Sequence, residues 1–272
     1  MLIYYFRNAK RLSPEHLDSL VASMPPQQQD IVARYKSHRQ KCEQAIAYTM
    51  LCHALKNDHD LIFDNLTTIK AFPLSALRSP LPALPLWAFG EHGKPYITNY
   101  EGIHFNISHC KEAVAIGISN QTIGIDVEGR RQFSDTLLQR TFSDEEQAAI
   151  KNSGDPQKEF AWLWTRKEAY FKWTGTGILM DHLKTTEAEA RDARCNICTV
   201  PIVTTEDSDN VFWLSIANST VTNCVPQLDG NRIIICEDAD GYNDISINPR
   251  PKVWSAGSTN SNGDEGRPEI WS

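Results

Sequence analysis

In TIGIDVEGRR, residues 122–131, two carboxylates alternate with aliphatic side chains. A strand points successive side chains to opposite faces. Ile123, Ile125 and Val127 therefore belong to a core, and Asp126 and Glu128 share the other face, about 7 Å apart. Carboxylates that close repel one another. A hard cation such as Mg2+ relieves the repulsion with few protein oxygens and a phosphate as a further ligand; a solvated strand face carrying two acids is the alternative. A second constellation lies in WTRKEAYFKWTGTG, residues 164–177, where Trp164, Glu168 and Lys172 recur every four residues and stack on one helix face. On an exposed helix such a Glu–Lys pair is worth only about 0.2–0.5 kcal/mol and is commonly structural. Here a tryptophan continues the stripe, Lys167 adds a second cation, and the glycines of Thr-Gly-Thr-Gly permit close backbone approach. A third candidate is HFNISHC, residues 104–110, in which Ser108 and His109 end a strand and can project into a cleft. His109 is either a donor to a phosphate or a hydrogen-bonded strand-end histidine.

These groups need elements to hold them. LIYYF (2–6) reads as a strand, and residues 13–24 as a short helix with Ser13 as cap and Pro14 in its first turn. From Gln28 to Leu55 the pattern is helical, with Ile31, Tyr35, Ile46, Met50 and Leu51 as buried positions. The proline-dotted FPLSALRSPLPALPLWAF (72–89) reads as a surface loop, and GKPYI (93–97) as a turn entering a strand. Segments 103–108, 112–119 and 122–128 alternate as strands. Ser143 and Glu146 form a capping box, and a long helix is expected from Gln157 to Trp173. VFWLSIAN (211–218) and RIIIC (232–236) read as closing strands. The expected class is α+β, with two similar halves, each a small antiparallel sheet packed on a long helix. The expected division is residues 1–120, then 121–236, then an acidic, disordered tail at 237–272 rich in Asp, Asn, Ser, Gly and Pro.

Composition narrows the function classes. A net charge of -7 gives no basic balance for nucleic-acid binding. No run approaches the roughly 18 apolar residues of a membrane span. The N-terminus lacks the apolar core and cleavage site of a secretory signal. Seven scattered cysteines suit a reducing cytoplasm, and the CxxC of Cys195 and Cys198 has no second pair at zinc spacing.

Five pieces, GKPYI, FNISHC, IGIDVE, FSDEE and WTRKEAYFKWTGTGI, stand in the order found in the 4′-phosphopantetheinyl transferases, and the chain resembles the larger type that activates peptide and siderophore synthetases. The match is clear from about Gly93 to Leu179, and weaker outside it. The resemblance implies a pseudo-dimeric α+β monomer with an internal pseudo-twofold, its site between the halves. It implies transfer of the phosphopantetheine arm of coenzyme A to a serine of an apo carrier protein, with release of 3′,5′-adenosine diphosphate. It further implies that Asp126, Glu128 and Glu168 hold Mg2+, that Glu168 activates the carrier serine, and that Lys172 assists the leaving phosphate. Lys94, Ser108 and His109 would contact coenzyme A phosphates, and Trp164 would pack beside the metal site. Attack on a phosphorus flanked by negative charge needs neutralisation and alignment above all. The nucleophile belongs to the partner, consistent with the lack of a serine or cysteine nucleophile motif here.

One stretch departs from the family pattern. In QQQDIVARYKSHRQKCEQAIAY (27–48), Glu43 and Gln44 stand where an arginine and a small hydroxylated residue are common. Arg34, Lys36, Arg39 and Lys41 are the substitute cations for the 3′-phosphate of coenzyme A; a solvated helix face is their alternative. The departure motivates a second functional reading, a catalytically impaired relative that serves as a carrier-protein-binding scaffold.

Overall fold

The computed structural model describes residues 1–7, 9, 12–63, 67–78, 84–111, 113–202 and 212–219, and the short strand pair 236–237 and 241–242. The chain is α+β. Strand β1 (Leu2–Arg7) leads to α1 (Pro14–Ala22), α2 (Pro26–Ala33), α3 (His38–Asn57), α4 (His59–Phe63) and β2 (Thr68–Ala71). Then follow β3 (Trp87–Phe89), β4 (Pro95–Ile97), β5 (His104–His109), β6 (Ala113–Ser119) and β7 (Ile123–Glu128). The remainder holds α5 (Asp135–Thr141), α6 (Asp144–Asn152), α7 (Pro156–Thr174), α8 (Thr186–Asp192), β8 (Asn196–Ile202) and β9 (Phe212–Asn218).

Local chemistry explains the ends of these elements. Ser13 accepts the His16 amide hydrogen and Pro14 occupies the first turn of α1. The expected continuous helix from Gln28 to Leu55 is instead α2 and α3, because Ser37 adopts extended backbone and caps a new helix by accepting the Gln40 amide hydrogen at 3.2 Å. The capping box of α6 is present in full. Helix α7 ends at Gly175, whose φ of 76° is the left-handed conformation that glycine adopts without strain.

The strands form a sheet in the order β2-β1-β6-β5 and another in the order β7-β9-β8. The first is mixed and not purely antiparallel as expected: β1 pairs parallel with β2, a strand the periodicity did not show, and antiparallel with β6. Strand β8, which contains Cys198, also went unread, since only Val200 and Ile202 of its seven residues are buried and the alternation is weak. The expected loop 72–89 contains a 3-10 turn at Leu74–Arg78 and ends in β3, which pairs with β4.

Strand β1 shows why LIYYF is apolar throughout. Leu2, Tyr4 and Phe6 face a core shared with Ala45, Ile46, Met50 and Leu51 of α3. Met1, Ile3 and Tyr5 face the opposite way, into a layer shared with Ile123, Ile125, Val127, Leu214 and Ile216 of the other sheet. A strand covered on both faces reads as a continuous apolar run. Ala169 and Phe171 of α7 pack with Ala217 on the outer side of the second sheet. The layers therefore run helix, sheet, sheet, helix. At the start of the expected disordered tail, Cys236–Glu237 instead pairs antiparallel with Gly241–Tyr242; the rest of that tail and residues 232–235 of the expected closing strand lie outside the described residues.

Candidate active site between strand β7 and helix α7

Strand β7 is an edge strand whose outward amides are satisfied by side chains from β5. Asn106 Oδ1 accepts the Ile125 N–H at 2.9 Å, and Ser108 Oγ accepts the Val127 N–H at 3.1 Å. Both pairs use a two-residue spacing, one amide per pleat. One face of β7 meets α7 at unusually short range. A Cβ at Gly124 would lie 2.1 Å from the Ala169 carbonyl oxygen and 2.2 Å from the Trp173 nitrogen. Both obstructing atoms are backbone, so only glycine allows this approach.

The approach brings the expected acid and base together across the two elements. Lys172 Nζ donates to Asp126 Oδ1 at 2.7 Å and to Ser108 Oγ at 3.0 Å, and lies 3.7 Å from Glu168 Oε2. Ser108 Oγ in turn donates to Asp126 Oδ1 at 2.7 Å. The Asp126 side chain is 5% exposed, and that of Lys172 is 29% exposed. A carboxylate so deeply buried needs such partners. Glu128 accepts from Gly129 N and from Arg131 Nη1, each at 3.1 Å.

The protonation balance follows from burial and crowding. Burial, then the charge of Asp126, pushes the Glu168 carboxyl up to about 7, against the pull of Lys172. Burial and Asp126 also raise Glu128, with Arg131 opposing. Burial disfavours the Lys172 ammonium, but Asp126 and Glu168 outweigh it and hold the group above its ordinary value. The site thus combines a protonated lysine with a carboxylate poised near neutrality. Its oxygen-only, mutually repelling donors suit a hard cation. In the present arrangement Lys172 is the counter-charge, and no group of three or more His, Cys, Asp or Glu side chains among the described residues is disposed to hold a metal.

The other expected site residues are distributed more widely. Trp164 is buried with Leu138, Phe142 and Phe160, and the Arg131 guanidinium sits 5.1 Å over its ring. It therefore reaches the acidic face through Arg131 and Glu128. His109, at the end of β5, has Nδ1 3.5 Å from Glu43 Oε2, while Arg39 Nε contacts Glu43 Oε1 at 3.0 Å. Lys94 sits at the end of α7 and donates to the carbonyls of Ile123 and Trp173 at 3.1 and 3.2 Å. Burial pushes its ammonium down to about 8. Arg34 lines a cleft of about 160 Å3 between α2 and β3, with Gln27, Asp30 and Trp87. Lys167 turns away from the acids altogether: it is 1% exposed and donates to Glu146 Oε1 and the Leu183 carbonyl, both at 2.7 Å.

Asn106, Gly124 and Arg131 are positioning residues that the sequence reading passed over. Each left a signal: a polar residue two before Ser108 in an apolar strand, a glycine inside a strand, and a cation three after Glu128.

Comparison with known proteins converges on the same segment. The profile of the 4′-phosphopantetheinyl transferase superfamily matches residues 122–217, from β7 through β9. The chain is 36% identical over 90 residues to 4′-phosphopantetheinyl transferase Sfp of Bacillus subtilis (strain 168), covering 32% of this chain and 40% of that protein. It is 35% identical over 95 residues to 4′-phosphopantetheinyl transferase gsp of Aneurinibacillus migulanus, covering 34% of this chain and 39% of that protein. It is also 31% identical over 159 residues to 4′-phosphopantetheinyl transferase AcpT of Escherichia coli (strain K12), covering 53% of this chain and 80% of that protein. The aligned region thus spans about two fifths of the Bacillus and Aneurinibacillus relatives.

Proposed function

Because this chain belongs to the 4′-phosphopantetheinyl transferase superfamily, we propose that it transfers the phosphopantetheine arm of coenzyme A to a serine of an apo carrier protein. The observation that carries this reading is the Ser108–Asp126–Lys172 cluster beside Glu168, of which Asp126, Glu168 and Lys172 lie within the family match and Ser108 precedes it. In the reaction the carrier serine oxygen bonds to the phosphorus bearing pantetheine. The bridging phosphorus–oxygen bond breaks, and 3′,5′-adenosine diphosphate leaves. Glu168, beside the Lys172 ammonium at 3.7 Å, takes the serine proton. Lys172, held by Asp126 and Ser108, places its ammonium against the leaving phosphate. Asp126, Glu128 and Glu168 would hold Mg2+, which supplies positive charge to the pyrophosphate when bound. His109 and Arg39 would face a further phosphate of the donor, and Arg131 stacked on Trp164 steadies Glu128. Lys94 would reach a coenzyme A phosphate only by leaving its two carbonyls, and Arg34 would act from its own cleft.

The reading places the protein in the cytoplasm, acting as a monomer on peptidyl, acyl or aryl carrier domains, as in nonribosomal peptide or siderophore biosynthesis. Among the described residues no helix is long and apolar enough to cross a membrane. The deciding experiment is the intact mass of apo carrier domains after incubation with the protein, coenzyme A and Mg2+. The expected result is a gain of one phosphopantetheine, abolished by EDTA. No gain on any carrier class would overturn transfer. Coenzyme A-independent carrier binding would then favour the scaffold reading, which the acid at Glu43 motivates.

A further inference from the structure

Glu43 is a charged residue in the wrong place for a phosphate site. It sits in the first turns of α3, its side chain is 3% exposed, and it faces the end of β5. One oxygen holds Arg39 at 3.0 Å. The other lies 3.5 Å from His109 Nδ1 and makes no hydrogen bond. Arg39 and His109 are about half exposed, at 46% and 49%, and His109 directly follows Ser108 of the Ser108–Asp126–Lys172 cluster. A donor whose pyrophosphate lies at that cluster carries its remaining phosphomonoester some ångströms further along the ribose. Of the groups beside the cluster, Arg39 is already neutralised by Glu43, and burial holds the His109 imidazole below its ordinary value, toward the neutral form.

We propose that Glu43 is a specificity-determining residue that makes the enzyme nearly indifferent to the 3′-phosphate of its donor, so that it accepts coenzyme A and 3′-dephospho-coenzyme A at similar rates. The proposal rests on the transfer reading above. An incoming phosphomonoester gains the attraction of Arg39 and a ring N–H from His109 but meets a buried carboxylate oxygen that water and hydrogen bonds screen poorly. Attraction and repulsion then largely cancel. The chemistry balances with either donor. The same phosphorus–oxygen bond forms and breaks, and the leaving group is 3′,5′-adenosine diphosphate or adenosine monophosphate.

The test compares the two donors on one apo carrier domain, using the full chain and intact-mass rates. In the wild-type protein kcat/KM for coenzyme A is expected to exceed that for the dephospho donor by less than about tenfold. In Glu43→Gln the ratio is expected to rise at least tenfold, through a lower KM for coenzyme A. A merely structural role for Glu43 would change both donors alike. A wild-type ratio above about tenfold overturns the proposal, as does an unchanged ratio in a folded Glu43→Gln. Should that variant fail to fold, calorimetric binding of the two donors to the wild-type protein decides: dissociation constants within about tenfold support indifference, and a larger preference overturns it. Transfer from both donors, or from coenzyme A alone, leaves the functional reading standing whichever way specificity falls. Binding of neither donor overturns that reading and the specificity proposal with it.

Discussion

Helices α3 and α7 cover the outer faces of two adjoining sheets, yet their seams are built on different principles. The α3 seam is apolar along most of its length: Ala45, Ile46, Met50, Cys52 and Leu55 pack against Leu2, Tyr4, Val114 and Ile116, and the one buried charge, Glu43, sits at the helix's beginning. The α7 seam mixes Ala169 and Phe171 with Asp126, Glu168 and Lys172, and Gly124 lets helix and strand approach more closely than any larger residue would. An apolar seam needs only complementary volume. A charged seam needs every buried group paired at hydrogen-bond range, because an unpaired buried charge costs several kcal/mol. The first arrangement tolerates exchange of one aliphatic for another. The second is specified atom by atom, as a site must be.

The contrast can be broken most severely at Gly124. A methyl group there would stand 2.1 Å from a backbone oxygen and 2.2 Å from a backbone nitrogen, neither of which can rotate aside. Gly124→Ala is expected to cost more than about 3 kcal/mol, seen as insoluble protein or a large fall in the urea midpoint. The volume-reducing Ile46→Val in the apolar seam should cost only about 1 kcal/mol. Similar midpoints for the two variants would show that α7 can move off the strand and that the close approach is not a requirement.

Lys172→Met should come next. It leaves Asp126 buried with Ser108 as its remaining side-chain partner, so about 2–3 kcal/mol of stability is lost at neutral pH. The proposed transfer should fall at least about a hundredfold. The double variant with Asp126→Asn should regain most of that stability and none of the activity. Equal stability of Lys172→Met and the wild type would mean that the pair is worth nothing net. Asp126→Ala alone is a poorer probe, because it strands Lys172 as well as removing a carboxylate.

The smallest expected effect lies at Glu168 and carries a pH signature. Its carboxyl titrates near 7 in the folded chain against an ordinary 4.5. Between those values the folded state binds the proton that the unfolded state has released, so Glu168 makes stability fall as pH rises from about 4.5 to 7. Glu168→Gln removes that loss. In EDTA the variant should melt with the wild type at pH 4 and above it at pH 8, by about 1–2 kcal/mol. A variant less stable than the wild type at pH 8 would show that the pairing with Lys172 outweighs burial and the repulsion of Asp126.

Much of this was legible in the residues. Ile125 against Asp126 on opposite faces of β7, the caps at Ser13 and Ser143, and the stacking of Trp164, Glu168 and Lys172 on α7 all follow from periods of 2 and 3.6. These are properties of the local backbone, which the order of side chains states directly. The parallel pairing of β1 with β2 was not legible, since nothing within either strand names its neighbour. The fates of the cations were not legible either. Lys167 and Lys172 stand five residues apart on one helix, yet one is sealed against Glu146 and the other turned onto Asp126. Lys94 is drawn to one carbonyl at the start of β7 and one at the end of α7, and Glu43 is brought against His109 at the end of β5. Charge is a property of a residue, but its pairing depends on which groups the packed layers bring within about 3 Å of it, and only the tertiary structure decides that.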